Sequence, residues 1–368
     1  MGWSIDEIET NFLRGRIDTI ALAPEVVLAN FERVENILGR DWIMSEMSGR
    51  GLAPTMHVIG MGLRLAALEG IDQTEQLIEH IRRGDQNADA ELTAIYLIRS
   101  PRPSAQFQLY PEVGSRKADF RVRDDDEQWT TVEVTQPTTS QERQRVQNIL
   151  RRLTEALSKM DCQFTLEVLF RREPTEEEIA VLCDRLPEFC RLGEQKQAEL
   201  AGELGFLFLN QLPLGQLVNR QIPQLGDTPL IGLAMFAGGG QGGGPHHQVS
   251  VRIPFTDERA EEILRAEARQ LPDQGVGLIM VDVAHASGSF QAWESLIRRR
   301  FQPTIHTRVS GVCLFEGGMV PTDQGYDWLL HTKLITNPHA QLPLPVWIEA
   351  GLKAAGEGFE RAVQEGRT

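Results

Sequence analysis

The chain has 368 residues, of which 41% are hydrophobic and 24% are charged, as in ordinary globular proteins. That composition excludes wholesale disorder, and no apolar run reaches the ~20 residues that a membrane-spanning helix needs. At about 100–200 residues per domain, the length favours two or three domains. The formal net charge of −15 disfavours a protein that binds nucleic acid through its overall charge, but it leaves room for a confined basic groove.

The amino terminus and the cysteines together indicate a cytoplasmic protein. Residues 1–6 have neither the basic region nor the apolar region of a secretory signal. Four scattered cysteines without a Cys-x-x-Cys pair predict reduced thiols and no structural zinc site. These residues are Cys162, Cys183, Cys190 and Cys313.

Apolar residues spaced three and four apart predict a helical region over residues 1–86. One helix begins at Pro24, since proline is favoured in the first turn of a helix. A second helix covers residues 55–68, and a third, amphipathic helix covers residues 72–83. These segments carry no pattern typical of catalysis, so we expect a scaffold or a docking region.

Residues 87–345 predict an α/β domain, with a mixed β-sheet flanked by helices, because strand-like and helix-like patterns alternate along them. The core motif of this domain lies at residues 88–170 and consists of a helix, three strands, a helix and a strand. Residues 346–368 predict a C-terminal helix and tail. The segments of the core motif are 88–99, 105–110, 116–123, 128–135, 140–159 and 163–170.

The alternation of strands and helices continues beyond the core motif. Residues 276–281 include almost no polar side chain, which predicts a strand buried on both faces. A glycine-rich stretch at residues 238–245 lacks the Gly-Lys-Ser/Thr of a phosphate loop, so it predicts a hairpin connection. His246 and His247 follow it, and adjacent strand residues point to opposite faces, so we expect no metal site there. The other predicted segments are helices from 175, near 192–200, at 257–270 and at 290–301, and strands at 205–209, 230–236, 248–253, 276–283 and 309–315.

Residues 116–135 carry the pattern that points to chemistry. Polar and apolar residues alternate on both sides of an acidic turn, which predicts a β-hairpin. If the hairpin folds about Asp126, Asp119 lies directly opposite Glu133, with Cβ atoms about 4.5–5.5 Å apart. Two carboxylates at that separation repel each other. A divalent cation would neutralise them, and ligation by oxygen alone favours Mg²⁺ or Mn²⁺.

The preceding helix offers a third carboxylate. Glu91 lies in line with Ile95 and Ile98, at positions i, i+4 and i+7 of an apolar face. A carboxylate on such a face points inward and needs a partner. If this helix packs beside the hairpin, we expect Glu91 to approach the same cation.

This arrangement resembles the PD-(D/E)XK nuclease superfamily. In that family a helix supplies a Glu, and a β-hairpin supplies an Asp and then an acid-x-Lys triplet. The resemblance covers residues 88–170, and residues 265–283 are similar to the end of some bacterial members. It implies a restriction-endonuclease-like fold in which Asp119 and Glu133 bind Mg²⁺ or Mn²⁺ and Glu91 is the helical acid.

The resemblance also implies a function, which is the metal-dependent hydrolysis of phosphodiester bonds in nucleic acid. Bacterial chains of this kind often serve in restriction or phage defence. Because the chain is acidic, we expect a protein partner or a homo-oligomer to help bring the nucleic acid to the site.

The chain departs from the family pattern at the triplet, where Thr135 occupies the position of the Lys. In the family this Lys positions the attacking water and stabilises developing negative charge, and threonine has no charge with which to do so. Lys117 is the preferred substitute, because it lies two residues before Asp119 on the same predicted strand. Gln136 and the basic helix predicted at residues 140–159 are the other candidates.

Two hypotheses follow from the sequence. The first is an active metal-dependent nuclease, with Glu91, Asp119, Glu133 and Lys117 as its catalytic residues. The second is a catalytically inactive nuclease-fold scaffold or sensor subunit that acts through protein–protein contacts. The missing Lys and the net charge favour the second hypothesis.

Overall fold

A computed structural model gives the fold of most of the chain. It divides the chain into two compact units. The first unit comprises Met1–Pro137, Ala260–His285 and Leu296–Thr368, and the second comprises Thr138–Arg259 and Ala286–Ser295. The structure describes residues 2–13, 15–113, 116–124, 128–137, 141–157, 164–190, 196–200, 203–211, 230–237, 247–254, 259–284, 290–322 and 324–365.

The helices and strands follow the predicted alternation over much of the chain. In the first half they are α1 (Ile5–Glu7), α2 (Pro24–Leu38), α3 (Arg40–Glu46), α4 (Leu52–Leu65), α5 (Glu75–Arg82), α6 (Gln86–Arg99), β1 (Gln106–Leu109), β2 (Glu112–Val113), β3 (Arg116–Lys117), β4 (Phe120–Arg123), β5 (Thr130–Thr135), α7 (Gln141–Leu157) and β6 (Phe164–Phe170). In the second half they are α8 (Glu176–Cys190), β7 (Lys196–Leu200), β8 (Gly205–Gln211), β9 (Leu230–Ala237), β10 (His247–Pro254), α9 (Arg259–Ala268), β11 (Val276–Asp282), α10 (Phe290–Arg300), β12 (Gly311–Thr322), β13 (Gly325–Thr336) and α11 (Val346–Glu365).

The first unit is built on a mixed sheet, which confirms the α/β class. Among the described residues this sheet has six strands in the order β1-β4-β5-β11-β12-β13. β4 is antiparallel to both β1 and β5, whereas β11 is parallel to both β5 and β12. β13 pairs antiparallel with β12 along its whole length. The hairpin that carries the predicted site residues therefore occupies one side of the sheet, with β5 in its interior.

The sequence predicted that the strand at residues 163–170 completes the core motif of residues 88–170, and this prediction is wrong. β6 lies in a second sheet, of order β7-β8-β6-β10-β9, and β11 takes the position beside β5. All seven residues of β11 are buried, and a strand that is apolar on both faces is suited to the interior of a parallel sheet. In chain order, the second unit is inserted between β5 and the segment that leads into β11.

The second unit contains the five-stranded sheet. β6 is parallel to β10 and antiparallel to β8. β9 and β10 pair antiparallel with His247 opposite Ala237. The predicted hairpin connection at residues 238–245 and His246 lie outside the described residues.

The helix predicted near residues 192–200 is wrong where the structure describes it. Residues 196–200 form β7, which pairs antiparallel with β8 from Lys196 opposite Leu209 to Leu200 opposite Gly205. The sequence Lys-Gln-Ala-Glu-Leu favours a helix by propensity, but pairing with an apolar strand overrides so weak a preference. β13 was not predicted, because its polar and apolar residues mix on both faces.

The N-terminal helices and the six-stranded sheet share one hydrophobic core. Phe31 of α2, Ile59 of α4 and Ile95 of α6 are fully buried in the same cluster as Val132 of β5 and Phe315 of β12. The unit boundaries therefore differ from the division proposed at residue 86, because the helices before it cover one face of the sheet.

A buried ion pair fixes the helix that carries Glu91. Arg64 of α4 is 3% exposed, and its guanidinium donates to the Asp89 carboxylate and to the Thr93 hydroxyl of α6, each at 2.8 Å. Because a buried guanidinium is costly without such partners, this pair ties the position of α6 to that of α4.

The sequence predicted that no helix spans a membrane and that the cysteines are reduced. None of the helices in the described residues combines the length and apolarity that crossing a membrane requires. Cys183 and Cys313 are free thiols, as predicted, whereas Cys162 lies outside the described residues.

A close helix–strand contact at Gly60 yields a stability prediction. A Cβ atom on Gly60 of α4 would lie 2.6 Å from Cδ2 of the rigid indole of Trp328. Although alanine is favoured over glycine in a helix by about 1 kcal/mol, we expect Gly60→Ala to lower the free energy of unfolding by about 1–3 kcal/mol through overpacking.

Gly358 of α11 is the matched control, because a Cβ atom there would have no neighbour within 4 Å. We expect Gly358→Ala to raise the free energy of unfolding by about 0.5–1 kcal/mol. Urea unfolding followed by circular dichroism measures both variants. Equal stabilisation by the two substitutions would contradict the contact.

Candidate carboxylate site

The hairpin of β4 and β5 has the predicted register. Phe120 pairs with Val132 and Val122 pairs with Thr130, so the strands fold about position 126. The pairing ends at Phe120 and Val132, one residue short of Asp119 and Glu133, so the predicted pairing of these two carboxylates stays a prediction. Residues 125–127 of the turn lie outside the described residues.

The sequence predicted one continuous strand over residues 116–123, and this prediction is wrong. β3 pairs with β2, with Lys117 opposite Glu112, and the chain leaves strand geometry before β4 begins at Phe120. The Asp119 carboxylate accepts a hydrogen bond from the backbone N–H of Val134 at 2.7 Å. A side-chain acceptor of this kind competes with the regular ladder of a sheet, which explains the interruption beside Asp119.

Asp119 is held in a largely buried position. Burial raises its pKa to about 6, although the hydrogen bond from the Val134 N–H favours the ionised form. Its backbone carbonyl accepts from the N–H of Tyr110 at 2.8 Å. Asp119 therefore joins the end of β1 to the end of β5 through both its main chain and its side chain.

Glu91 on α6 reaches the same region. Its Oε2 atom accepts a hydrogen bond from the Tyr110 hydroxyl at 2.9 Å. Burial raises the pKa of Glu91 to about 7, and the negative charge of Asp119 contributes in the same direction. The Tyr110 hydrogen bond and the charge of Lys117 oppose that rise. Glu91 therefore lies near Asp119, and its predicted approach to a shared cation stays a prediction.

Tyr110 was not singled out by the sequence, yet it links the groups of the site. Its φ angle is 50°, a left-handed conformation that is uncommon outside glycine. Such strain is often found where a side chain must be aimed at a functional group. Burial, followed by the charge of Glu91, raises the pKa of Tyr110, so its hydroxyl stays protonated as a donor.

Lys117 lies on the Tyr110 side of the cluster. Its Nζ atom is 4.8 Å from the centroid of the Tyr110 ring, a distance typical of a cation–π contact. The side chain is exposed. The structure therefore places this candidate cation near Glu91, where it favours the ionised carboxylate.

Glu133 is 1% exposed, and its neighbour Thr131 on the same face is 4% exposed. Polar alternation usually marks a solvated outer face, but β5 is an interior strand with β4 and β11 on either side. The face that carries Glu133 is therefore buried as well as polar. A carboxylate in such a place needs compensation by hydrogen bonds or by a cation.

Thr135, at the position of the family Lys, contacts a carboxylate that sequence reasoning missed. Its hydroxyl hydrogen-bonds to Glu267 of α9, and the Gln270 amide donates to Glu267 Oε2 at 2.7 Å. Burial and then the charge of Asp119 raise the pKa of Glu267, while these two hydrogen bonds lower it. A fourth carboxylate thus adjoins the cluster. The only signal was that Glu267 falls within the segment 265–283 noted for its similarity to bacterial nucleases.

Gln136 is engaged elsewhere. β5 ends at Thr135, and the Gln136 side-chain amide donates to Oδ2 of Asp282 at 2.8 Å. Its backbone N–H donates to the Asn87 side chain of α6 at 3.2 Å. Gln136 therefore joins the ends of β5, β11 and α6. The basic helix α7, the third candidate for the missing charge, belongs to the second unit.

The donor chemistry of these residues fits a hard divalent cation. All the candidate ligands are carboxylate oxygens, which Mg²⁺ and Mn²⁺ prefer, and burial raises the pKa of two of them. Within the part of the chain that the structure describes, however, no three His, Cys, Asp or Glu side chains are gathered around one point as a metal site requires. Rotation of carboxylate side chains would be needed to close such a site.

Comparisons with known proteins do not assign this arrangement to a family. Comparison of the chain with protein-family models, with curated proteins and with solved structures found no match.

The raised pKa of Glu91 predicts how the stability of the first unit depends on pH. Between the ordinary value of 4.5 and about 7, the folded chain binds more protons at this residue than the unfolded chain does. The contribution of Glu91 to stability therefore falls as the pH rises through this range. We expect Glu91→Gln to raise the free energy of unfolding at pH 8, with a smaller gain at pH 5.

Urea unfolding at both pH values measures this effect. Glu357→Gln on α11 is the matched control, because Glu357 is exposed, and we expect it to change neither value. A gain from Glu91→Gln that is the same at pH 5 and pH 8 would show that Glu91 is not titrating between them.

Proposed function

We propose that the first unit is a restriction-endonuclease-like domain that uses Mg²⁺ or Mn²⁺ to hydrolyse phosphodiester bonds of nucleic acid. One observation carries the proposal. Glu91 and Asp119 lie close enough for the charge of Asp119 to raise the pKa of Glu91, and Asp119 accepts a hydrogen bond from the N–H of Val134, the residue after the buried Glu133. The resemblance assigns Asp119 and Glu133 as metal ligands and Glu91 as the helical acid.

The topology of the first unit supports the proposal. When the second unit is treated as an insertion, the order is the helix α6, the strands β1, β4 and β5, the helix α9 and the strand β11. This is the order of helix, three strands, helix and strand for which the resemblance was drawn. The difference is that α9 and β11 complete it instead of α7 and β6.

The residues of the site have distinct roles in this proposal. Asp119 and Glu133 hold the cation, which when bound supplies a Lewis acid and lowers the pKa of water. Glu91 titrates near pH 7, so its carboxyl group can take up or release a proton near neutral pH. Lys117 supplies the positive charge that Thr135 lacks, from the Tyr110 side of the cluster. The net charge of −15 makes a protein partner or a homo-oligomer part of the proposal, and a role in restriction or phage defence rests on the resemblance.

Calorimetric titration with Mn²⁺ and Mg²⁺ tests the metal site. We expect the full chain to bind Mn²⁺, and we expect Asp119→Asn and Glu133→Gln each to weaken binding at least about tenfold, since even outer groups of metal sites cost that much. Asp72→Asn is the control, because Asp72 is exposed and distant in sequence from the site. No binding at millimolar metal, or binding that both variants retain, would refute the metal site.

The second candidate function is that of a non-catalytic scaffold or sensor subunit on the same fold. The hydrogen bond between Thr135 and Glu267 favours it, because a neutral side chain and a carboxylate occupy the place where the family has a cation. Metal-dependent cleavage of single-stranded or duplex DNA or RNA that Lys117→Ala abolishes would exclude this alternative. Metal binding without cleavage of any of these substrates would favour it.

A further inference from the structure

Two arginines and a tryptophan form a cluster on the hairpin, which we call the Arg–Trp cluster: Arg121, Arg123 and Trp129. The guanidinium carbons of Arg121 and Arg123 lie 4.5 and 4.6 Å from the centroid of the Trp129 ring. All three side chains are half-buried. Planar cationic groups therefore lie beside an aromatic ring at a partly accessible surface.

Neighbouring glutamines on the edge strand β1 hold the arginines in place. Nε of Arg121 donates to the Gln108 side chain at 2.7 Å, and Arg123 donates through Nε and Nη2 to Gln106 at 3.1 and 3.0 Å. The acceptors are neutral, so neither glutamine cancels the charge of its arginine. Both glutamines are exposed, which leaves this side of the cluster open to solvent.

The cluster shares the polar face of the hairpin with the candidate carboxylate site. Phe120 and Val122 of β4 are fully buried on the opposite face, so Arg121 and Arg123 point to the face that Glu133 occupies on β5. At about 3.3 Å per residue, Arg121 and Arg123 lie about 7 and 13 Å along the strand from Asp119. The cluster and the carboxylate site therefore share one face of the hairpin, which is half-buried at the arginines and buried at Glu133.

We propose that the Arg–Trp cluster binds single-stranded nucleic acid, with a base stacked on the cluster and phosphates contacted by Arg121 and Arg123. Binding of the nucleic acid at the Arg–Trp cluster does not depend on the proposed function. Only the further step, in which the bound nucleic acid reaches the carboxylate site, rests on the proposed function. The acidic turn residues 125–127 lie outside the described residues.

Three physical arguments favour this ligand. Bases stack both on aromatic rings and on guanidinium planes. The Trp129 ring and the guanidinium group of either arginine can therefore each serve as the surface on which a base stacks. Arginine is suited to phosphate because its planar donors match the phosphate oxygens. A duplex keeps its bases stacked on one another, so a single strand is the form that can use the tryptophan.

Fluorescence anisotropy with a labelled oligonucleotide of 20 thymidines, in EDTA and low salt, tests the proposal. We expect the full chain to bind it, and we expect Trp129→Ala to weaken binding about tenfold through loss of stacking. Trp129→Phe, which keeps an aromatic plane, should stay within about twofold of the native chain.

The arginines are tested through the salt dependence of the same binding. We expect the double substitution Arg121→Gln and Arg123→Gln to weaken binding and to reduce the slope of log affinity against log salt by about 1.4, since each phosphate contact to a single strand contributes about 0.7. Trp42→Ala and Arg83→Gln are the controls. They alter a partly exposed tryptophan and an exposed arginine on other elements, and both should leave affinity and slope unchanged.

The outcomes separate this inference from the nuclease proposal. Absence of binding in EDTA, or binding that Trp129→Ala and the double substitution leave intact, overturns the inference even if metal-dependent cleavage is observed. Binding in EDTA that these variants weaken supports the inference, and it does so even if no cleavage follows when metal is added. In that last case only the nuclease proposal fails.

Discussion

Carboxylates held partly or wholly out of water lie together at one corner of the six-stranded sheet, and the surrounding structure has to compensate for them. Asp119 and Glu91 are half-buried, and this burial raises the pKa of both. Glu267 adds a third carboxylate whose pKa burial and the charge of Asp119 raise. Folding therefore has to offset the free energy of confining like charges at low dielectric. Proteins keep such arrangements where the charges have a use, and functional sites are where shifted pKa values cluster.

The fold holds this corner from several directions. Arg64 fixes α6 through Asp89, and α6 brings Glu91 to the hydroxyl of Tyr110. Asp119 joins the ends of β1 and β5 through its own hydrogen bonds. The N-terminal helices, which sequence reasoning treated as a separate scaffold region, thereby contribute to the position of Glu91. The same hairpin also carries the arginines and the tryptophan that give an acidic chain a local cationic surface.

The pairing of β4 with β5 could be predicted from the sequence, but the positions of β11 and α9 beside the hairpin could not. Alternation with a period of two predicts which residues share a face, and the acidic turn predicts the centre, so the pairing of Phe120 with Val132 follows from the sequence. The break in the strand beside Asp119 does not. Alternation does not specify a strand's neighbour, so β11 beside β5 could not be predicted across an inserted unit of this length. The contact between Thr135 and Glu267 was hidden for the same reason. In a helix such as α9, an acidic residue is typical of a solvated face.

Glu91 and Asp119 form a cluster whose negative charge a divalent cation would neutralise. The most direct test is a pH titration of their side-chain carboxyl carbons by nuclear magnetic resonance, in the absence and in the presence of Mg²⁺. We expect that without metal both residues titrate above their ordinary pKa values, and that Mg²⁺ lowers both pKa values. Ordinary pKa values without metal that Mg²⁺ leaves unchanged would contradict this expectation.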